Sequence, residues 1–119
     1  MKMKTRFAAK IAARSLLLGC LTVWPARAGD DANKIWDTNC AACHGKDGKG
    51  HTMMGRKWDI KDLTDPKVQD SFDDAQAAKI IKEGVTDKGV EKMKAFGDKL
   101  SNDDIKALVA HIRSFKPAK

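Results

Sequence analysis

Three things are scarce in this chain of 119 residues: cysteine, long apolar stretches and, over the first 28 residues, negative charge. Cysteine occurs only at Cys20, Cys40 and Cys43. A structural zinc site wants about four nitrogen or sulfur ligands, and His44, His51 and His111 are the only imidazoles available to complete such a set. The apolar run from Ser15 to Trp24 has ten residues. Crossing a bilayer takes about 20, so no membrane span is expected. An alternating strand pattern, an internal repeat and a low-complexity tract are also missing, which leaves a helical reading.

Residues 1–28 hold six basic side chains, Lys2, Lys4, Arg6, Lys10, Arg14 and Arg27, and no acidic one. The positive start, the short apolar run, Pro25 and the small-x-small site Ala26-Arg27-Ala28 follow the order of a secretory signal peptide. Cleavage is expected after Ala28. Residues 1–28 then form the signal, and residues 29–119 form one domain delivered to the periplasm. The alternatives are an uncleaved anchor, or a lipid on Cys20, because Leu17-Leu18-Gly19-Cys20 resembles a lipobox.

The whole chain carries a net charge of +7, which suggests a nucleic-acid or membrane partner. Residues 29–119 keep 17 basic and 16 acidic groups, a net charge of +1. Without a basic patch, nucleic-acid binding loses its electrostatic support. Export also means that thiols are normally oxidised or occupied.

Both cysteines that remain lie in Cys40-Ala41-Ala42-Cys43-His44, followed by a glycine-rich exit. A thioredoxin-like pair would want a strand before the first cysteine and a helix opening at it. Here the preceding residues Ala32, Ile35, Trp36 and Cys40 recur at helical spacing, so the cysteines close a helix. A c-type haem accounts for all three groups. Two thiols about one helical turn apart can each add across a vinyl group at one edge of the porphyrin, and the adjacent histidine is then carried to the iron.

The coarse architecture is all-α, about four short helices wrapped around one covalently attached haem. Asp30 or Asp31 can cap a first helix ending near Asn39, and a loop then runs to about Asp65. Asp65-Pro66 reads as an N-cap with proline in the first turn of a short helix. Asp73 and Gln76 make a capping box for a third helix with Ala77, Ile80 and Ile81 on its apolar face and Gly84 as its stop. Residues 85–100 read as loop. Ser101 and Asp104 open a last helix whose Ile105, Leu108, Val109 and Ile112 form one stripe. So few short helices bury little apolar surface by themselves, and a haem would supply the missing apolar plate.

Through "IWDTNCAACHGKDGKG", "KMKAFGDKLSNDDIKALVAHIRSF" and the helix between them, residues 29–119 resemble the small bacterial class I cytochromes c. The resemblance implies one haem c held by thioethers to Cys40 and Cys43, with His44 as one axial ligand. It also implies a methionine from a stretch similar to M-x-P-F as the other, here Met93. Alanine at position 95 departs from the proline of that pattern and implies a softer ligand loop. His111 stands where the last helix usually presents an aromatic ring to the first, at Trp36 and Ala32.

Met53 and Met54 follow His44 by only nine and ten residues, a short path around the haem edge, whereas Met93 has 49 residues in which to go round. Met53 and Met54 are also suited to packing against a haem, because methionine is flexible. His51 is read as an exposed loop residue, and His111 as a helix-packing residue with one nitrogen satisfied. Both remain alternative ligands. Trp58 and Arg56 have N–H groups that can reach a propionate. A backbone carbonyl near Thr52 or Met53 is expected to accept from His44.

An iron held by His44 and Met93 has no vacant position for a substrate, and a thioether favours the reduced state. The expected function is therefore a non-enzymatic electron carrier, a monomer whose partners are redox proteins that donate and accept electrons. Lys46, Lys49, Lys92 and Lys94 are placed to ring the haem edge and steer acidic partners. The alternative is a five-coordinate c-type haem that binds a small ligand or peroxide, should Met93 not bind.

Overall fold

A computed structural model describes the chain over residues 28–118. The signal expected at residues 1–28 lies outside that range except for Ala28, and so does Cys20. Six helical segments and one hairpin follow in order: α1 Ala28–Asn39, α2 Ala41–His44, α3 Met53–Lys57, α4 Pro66–Asp70, α5 Asp74–Glu83, β1 Val85–Asp87, β2 Val90–Met93 and α6 Asn102–Ser114. Among the described residues, no helix is long and apolar enough to cross a membrane.

The helices α3 to α6 start where side chains can satisfy their free N–H groups. Asp73 and Gln76 form a reciprocal capping box on α5, as do Ser101 and Asp104 on α6. Asp65 caps α4 with Pro66 behind it. α1 begins at Ala28, ahead of the start expected at Asp30 or Asp31. The expected four helices become six because the loop from 45 to 65 contains α3, capped by Thr52, and because a turn at Cys40 separates α2 from α1. That turn is slight: Cys40 N–H donates to Trp36 O at 2.8 Å and His44 N–H to Cys40 O at 2.9 Å.

α1 and α6 cross through Ala32 and Trp36 on one side and Leu108, Val109 and Ile112 on the other, all buried. Ile105, Ala77, Ile81 and Phe96 extend this core. Leu108 is 1% exposed, and fully burying a side chain of this size contributes about 1.5–3 kcal/mol. Ile80, expected on the apolar face of α5, is instead exposed. Its neighbours Ala77 and Ile81 already cover the contact with α6.

One polar side chain is enclosed with this core. Gln69, 1% exposed, donates through Nε2 to Leu63 O at 2.7 Å and Ile112 O at 2.8 Å. Arg113 donates in turn to Gln69 O and Oε1, to Phe72 O and to Asp74. α4 is thereby fastened to the end of α6 by groups that all find partners, as buried polar groups must.

Residues 85–93, read from sequence as loop, form an antiparallel hairpin pairing Val85 with Met93, Thr86 with Glu91 and Asp87 with Val90. Lys88 (φ 50°) and Gly89 (φ 79°) make its two-residue turn, and positive φ at both positions matches the twist of the flanking strands. The strands are three and four residues long, and no residue in them is fully buried. No hydrophobic alternation was there to read.

Candidate functional site

The end of α1 and the short α2 bring the two thiols and the imidazole together. Cys40 and Cys43 are half-buried and unbonded. Burial, and secondarily the neighbouring Cys43, push the Cys40 thiol up to about 11. It stays protonated at neutral pH. Burial holds the His44 imidazole below its ordinary value. It is therefore neutral, with a lone pair available to a metal.

The Trp36 ring lies 5.6 Å from that of His44, and its Nε1 donates to Gly45 O at 3.0 Å. The loop that leaves His44 is folded back by Gly50 N–H donating to His44 O at 2.7 Å. Thr52 then links the motif to α3. Its hydroxyl donates to Cys43 O at 2.6 Å and accepts from Gly55 N–H at 2.8 Å. A Cβ on Gly55 would collide with Gly50 O and approach Cys43 O to 2.9 Å, so α3 reaches the cysteine backbone only through glycine. Sequence reasoning named Thr52 only for its carbonyl and passed over its hydroxyl and Gly55. The Thr-x-x-Gly spacing at the start of α3 was the available signal for the cap.

The acceptor expected for His44 is not found. Nδ1 is buried and has no hydrogen-bond partner among the described residues. The carbonyls on either side of His44, of Cys43 and Gly45, are engaged by Thr52 and Trp36. The His111 ring lies 5.3 Å from that of Trp36, as the helix-packing reading requires, and its Nε2 is enclosed without a partner among the described residues.

Met93, at the end of β2, is half-buried against the same apolar cluster that Cys40 touches. Met53 is 78% exposed. Met54 and Trp58 are half-buried, and His51 and Arg56 are exposed. The proposed lysine ring is partly neutralised, because Lys46 lies 3.7 Å from Asp37 and Lys92 lies 2.7 Å from Asp87. Among the described residues, no three His, Cys, Asp or Glu side chains gather as a metal-ion site.

The residues present fit a haem c. Two unbonded thiols and an imidazole sit in one turn. A thioether lies at the edge of the same core, and Leu63, Phe72 and Leu100 are only partly covered beside it.

Comparison with known proteins bears on this site. The family model for cytochrome c oxidase, cbb3-type, subunit III matches residues 27–112. The cbb3-type cytochrome c oxidase subunit FixP of Bradyrhizobium diazoefficiens is 37% identical over 93 residues, covering 76% of this chain and 29% of FixP. The chain thus spans less than a third of that relative's length. Among solved structures, the KustC0563 c-type cytochrome superposes with a TM-score of 0.66 at 32% identity, covering 73% of this chain and 99% of that one. A single-residue variant of the same cytochrome gives 0.64 at 32% identity, covering 72% and 99%.

Proposed function

The chain belongs to the cytochrome c family, whose members transfer electrons through a c-type haem, and from that premise we propose that it is a periplasmic electron carrier with one His/Met-ligated haem. Cys40 and Cys43 would hold the porphyrin through thioethers, and His44 and Met93 would supply the nitrogen and sulfur ligands to its iron. When bound, the haem supplies an iron that takes up and releases one electron. The part of His44 and Met93 would be to stay on the iron in both oxidation states and so close it to substrates.

The observation that carries this reading is the placement of Met93. It packs on the cluster that Cys40 also touches, while Met53 points into solvent. Trp36 holds the loop after His44 through Gly45 O, which fixes where the imidazole stands. Cys40 and Cys43 mark the edge at which electrons enter and leave. The partners are redox proteins, and the likeness to FixP favours an oxidase complex among them. Residues 1–28 are removed on export, and the carrier works as a monomer.

Met93→Ala in the holoprotein tests the assignment. The ferric form is expected to turn high-spin, to lose its sulfur-to-iron absorption in the far red and to bind imidazole, whereas Met53→Ala keeps the wild-type spectrum. Retention of the band in Met93→Ala would remove Met93 from the iron. A high-spin wild type that binds ligands freely would replace the carrier by a five-coordinate haem.

A further inference from the structure

Met93 is held from both sides, although the chain has alanine at position 95 where the resemblance leads one to expect a stiffening proline. Before it, the hairpin pairs Met93 with Val85. After it, Phe96 N–H donates to Ile81 O and Gly97 N–H to Lys82 O, each at 3.0 Å. Both acceptors belong to the last turn of α5. The segment from Gly84 to Gly97 therefore leaves that turn, runs out along the hairpin, and returns to the same turn with Met93 on the way back.

At the neck of this excursion sits Gly84. It ends α5 with φ +74°, its N–H donating to Ile80 O at 2.8 Å. A Cβ built there would lie 2.5 Å from Met93 O, 2.8 Å from Ala95 N and 2.9 Å from the carbonyl carbon of Lys94. All three are backbone atoms. They cannot swing aside as a side chain would, so any residue larger than glycine must push the Met93–Ala95 backbone away from α5.

We propose that Gly84 is a positioning residue for the axial methionine: by leaving room for the Met93–Ala95 backbone against the end of α5, it sets where the Met93 thioether is presented. The inference rests on the reading of Met93 as an iron ligand and deepens it. The bare Cα at position 84 and the two hydrogen bonds from Phe96 and Gly97 do the work that a proline at position 95 would do by restricting φ.

The hairpin contains its own control. Gly89 also has a positive φ, +79°, but a Cβ there meets nothing within 4 Å. Gly84→Ala and Gly89→Ala both place a side chain at positive φ, and only at position 84 does the new Cβ also collide with the ligand backbone. Gly97→Ala supplies a third case. It has no positive-φ strain, and its Cβ would lie 2.9 Å from Lys82 Cγ and 3.0 Å from Lys82 O.

The test uses the ferric holoproteins and reads the far-red sulfur-to-iron absorption, the apparent affinity for imidazole and the thermal midpoint. Gly84→Ala is expected to lose most of the far-red band and to bind imidazole roughly tenfold more tightly, because the methionine-bound state with which imidazole competes is depopulated. Gly89→Ala should lower the thermal midpoint but leave band and affinity as in the wild type. Gly97→Ala should weaken the band part-way. If Gly84→Ala keeps the band and matches Gly89→Ala in imidazole affinity, the inference is overturned while Met93 ligation stands. If the wild type itself has no far-red band, the ligand reading fails, and the inference fails with it. Should Gly84→Ala yield no holoprotein, Gly97→Ala decides, and an unchanged band there overturns the proposal.

Discussion

At the crossing of α1 and α6, Trp36, Leu108 and Ile112 are buried and every helix start in the neighbourhood of α5 and α6 is capped. In the β1–β2 hairpin, Val85 and Val90 face solvent and, among the described residues, the two short strands pair only with each other. The two proposed axial ligands are divided between these regions. His44 stands beside Trp36 on the buried crossing, and Met93 lies at the end of the exposed hairpin. A buried scaffold that cannot shift cheaply holds one ligand, and a backbone clamp with little core of its own holds the other. Perturbing the crossing should therefore act on folding, and perturbing the hairpin on the spectrum.

Three experiments sharpen that contrast. The largest effect is expected at the crossing: Leu108→Ala should cost about 2–5 kcal/mol of unfolding free energy through lost burial and a cavity. Val90→Ala, at an exposed hairpin position, should stay within about 0.5 kcal/mol. Chemical denaturation of both holoproteins checks the pair, and equal losses would erase the distinction.

A smaller loss is expected at the polar joint between α4 and α6. Gln69→Leu removes the partner of Leu63 O and Ile112 O and part of the Arg113 network, so about 1–3 kcal/mol should be lost by leaving buried groups unpaired. The far-red spectrum should not change, because Met93 is held from α5 and not from α4. A spectral change without a stability loss would contradict this assignment.

The smallest effect concerns pH. Burial holds His111 below its ordinary value, opposed by Asp37 of α1, which itself lies 3.7 Å from Lys46. A histidine with a lowered folded-state value is protonated first in the unfolded chain. Its contribution to stability is thus complete above the ordinary value of 6.5 and declines as the pH falls below it. His111→Phe keeps a ring against Trp36 and removes the proton. Between pH 7 and pH 5 the thermal midpoint of the wild type should fall more than that of the variant, and parallel curves would show that His111 does not titrate against folding.

The local signals in the sequence were informative wherever one short segment carried the whole cause. The Asp73/Gln76 and Ser101/Asp104 boxes, the Asp65-Pro66 start and the Ile105–Ile112 stripe are each contained within a few residues, and the structure shows all of them. The same holds for the stop at Gly84. α3 was missed because its cap, Thr52, stands in a glycine-rich stretch that reads as continuous loop. The hairpin was missed because exposed strands of three and four residues leave no period to detect.

By itself, then, the sequence determined the chemistry on offer: two thiols and an imidazole within one turn, a helical framework, and a methionine set far along the chain. Those follow from residue identity and spacing, which need no knowledge of what lies opposite. Only the tertiary structure decided that Gln69 is enclosed beneath Arg113, that Ile80 faces out, that His44 Nδ1 and His111 Nε2 find no partner among the described residues, and that Gly84 touches the backbone of Met93. In each of these the deciding atom comes from a distant segment, or from a neighbour's backbone after the chain has folded back. Burial and close approach are properties of the pair, and one residue's identity cannot state them.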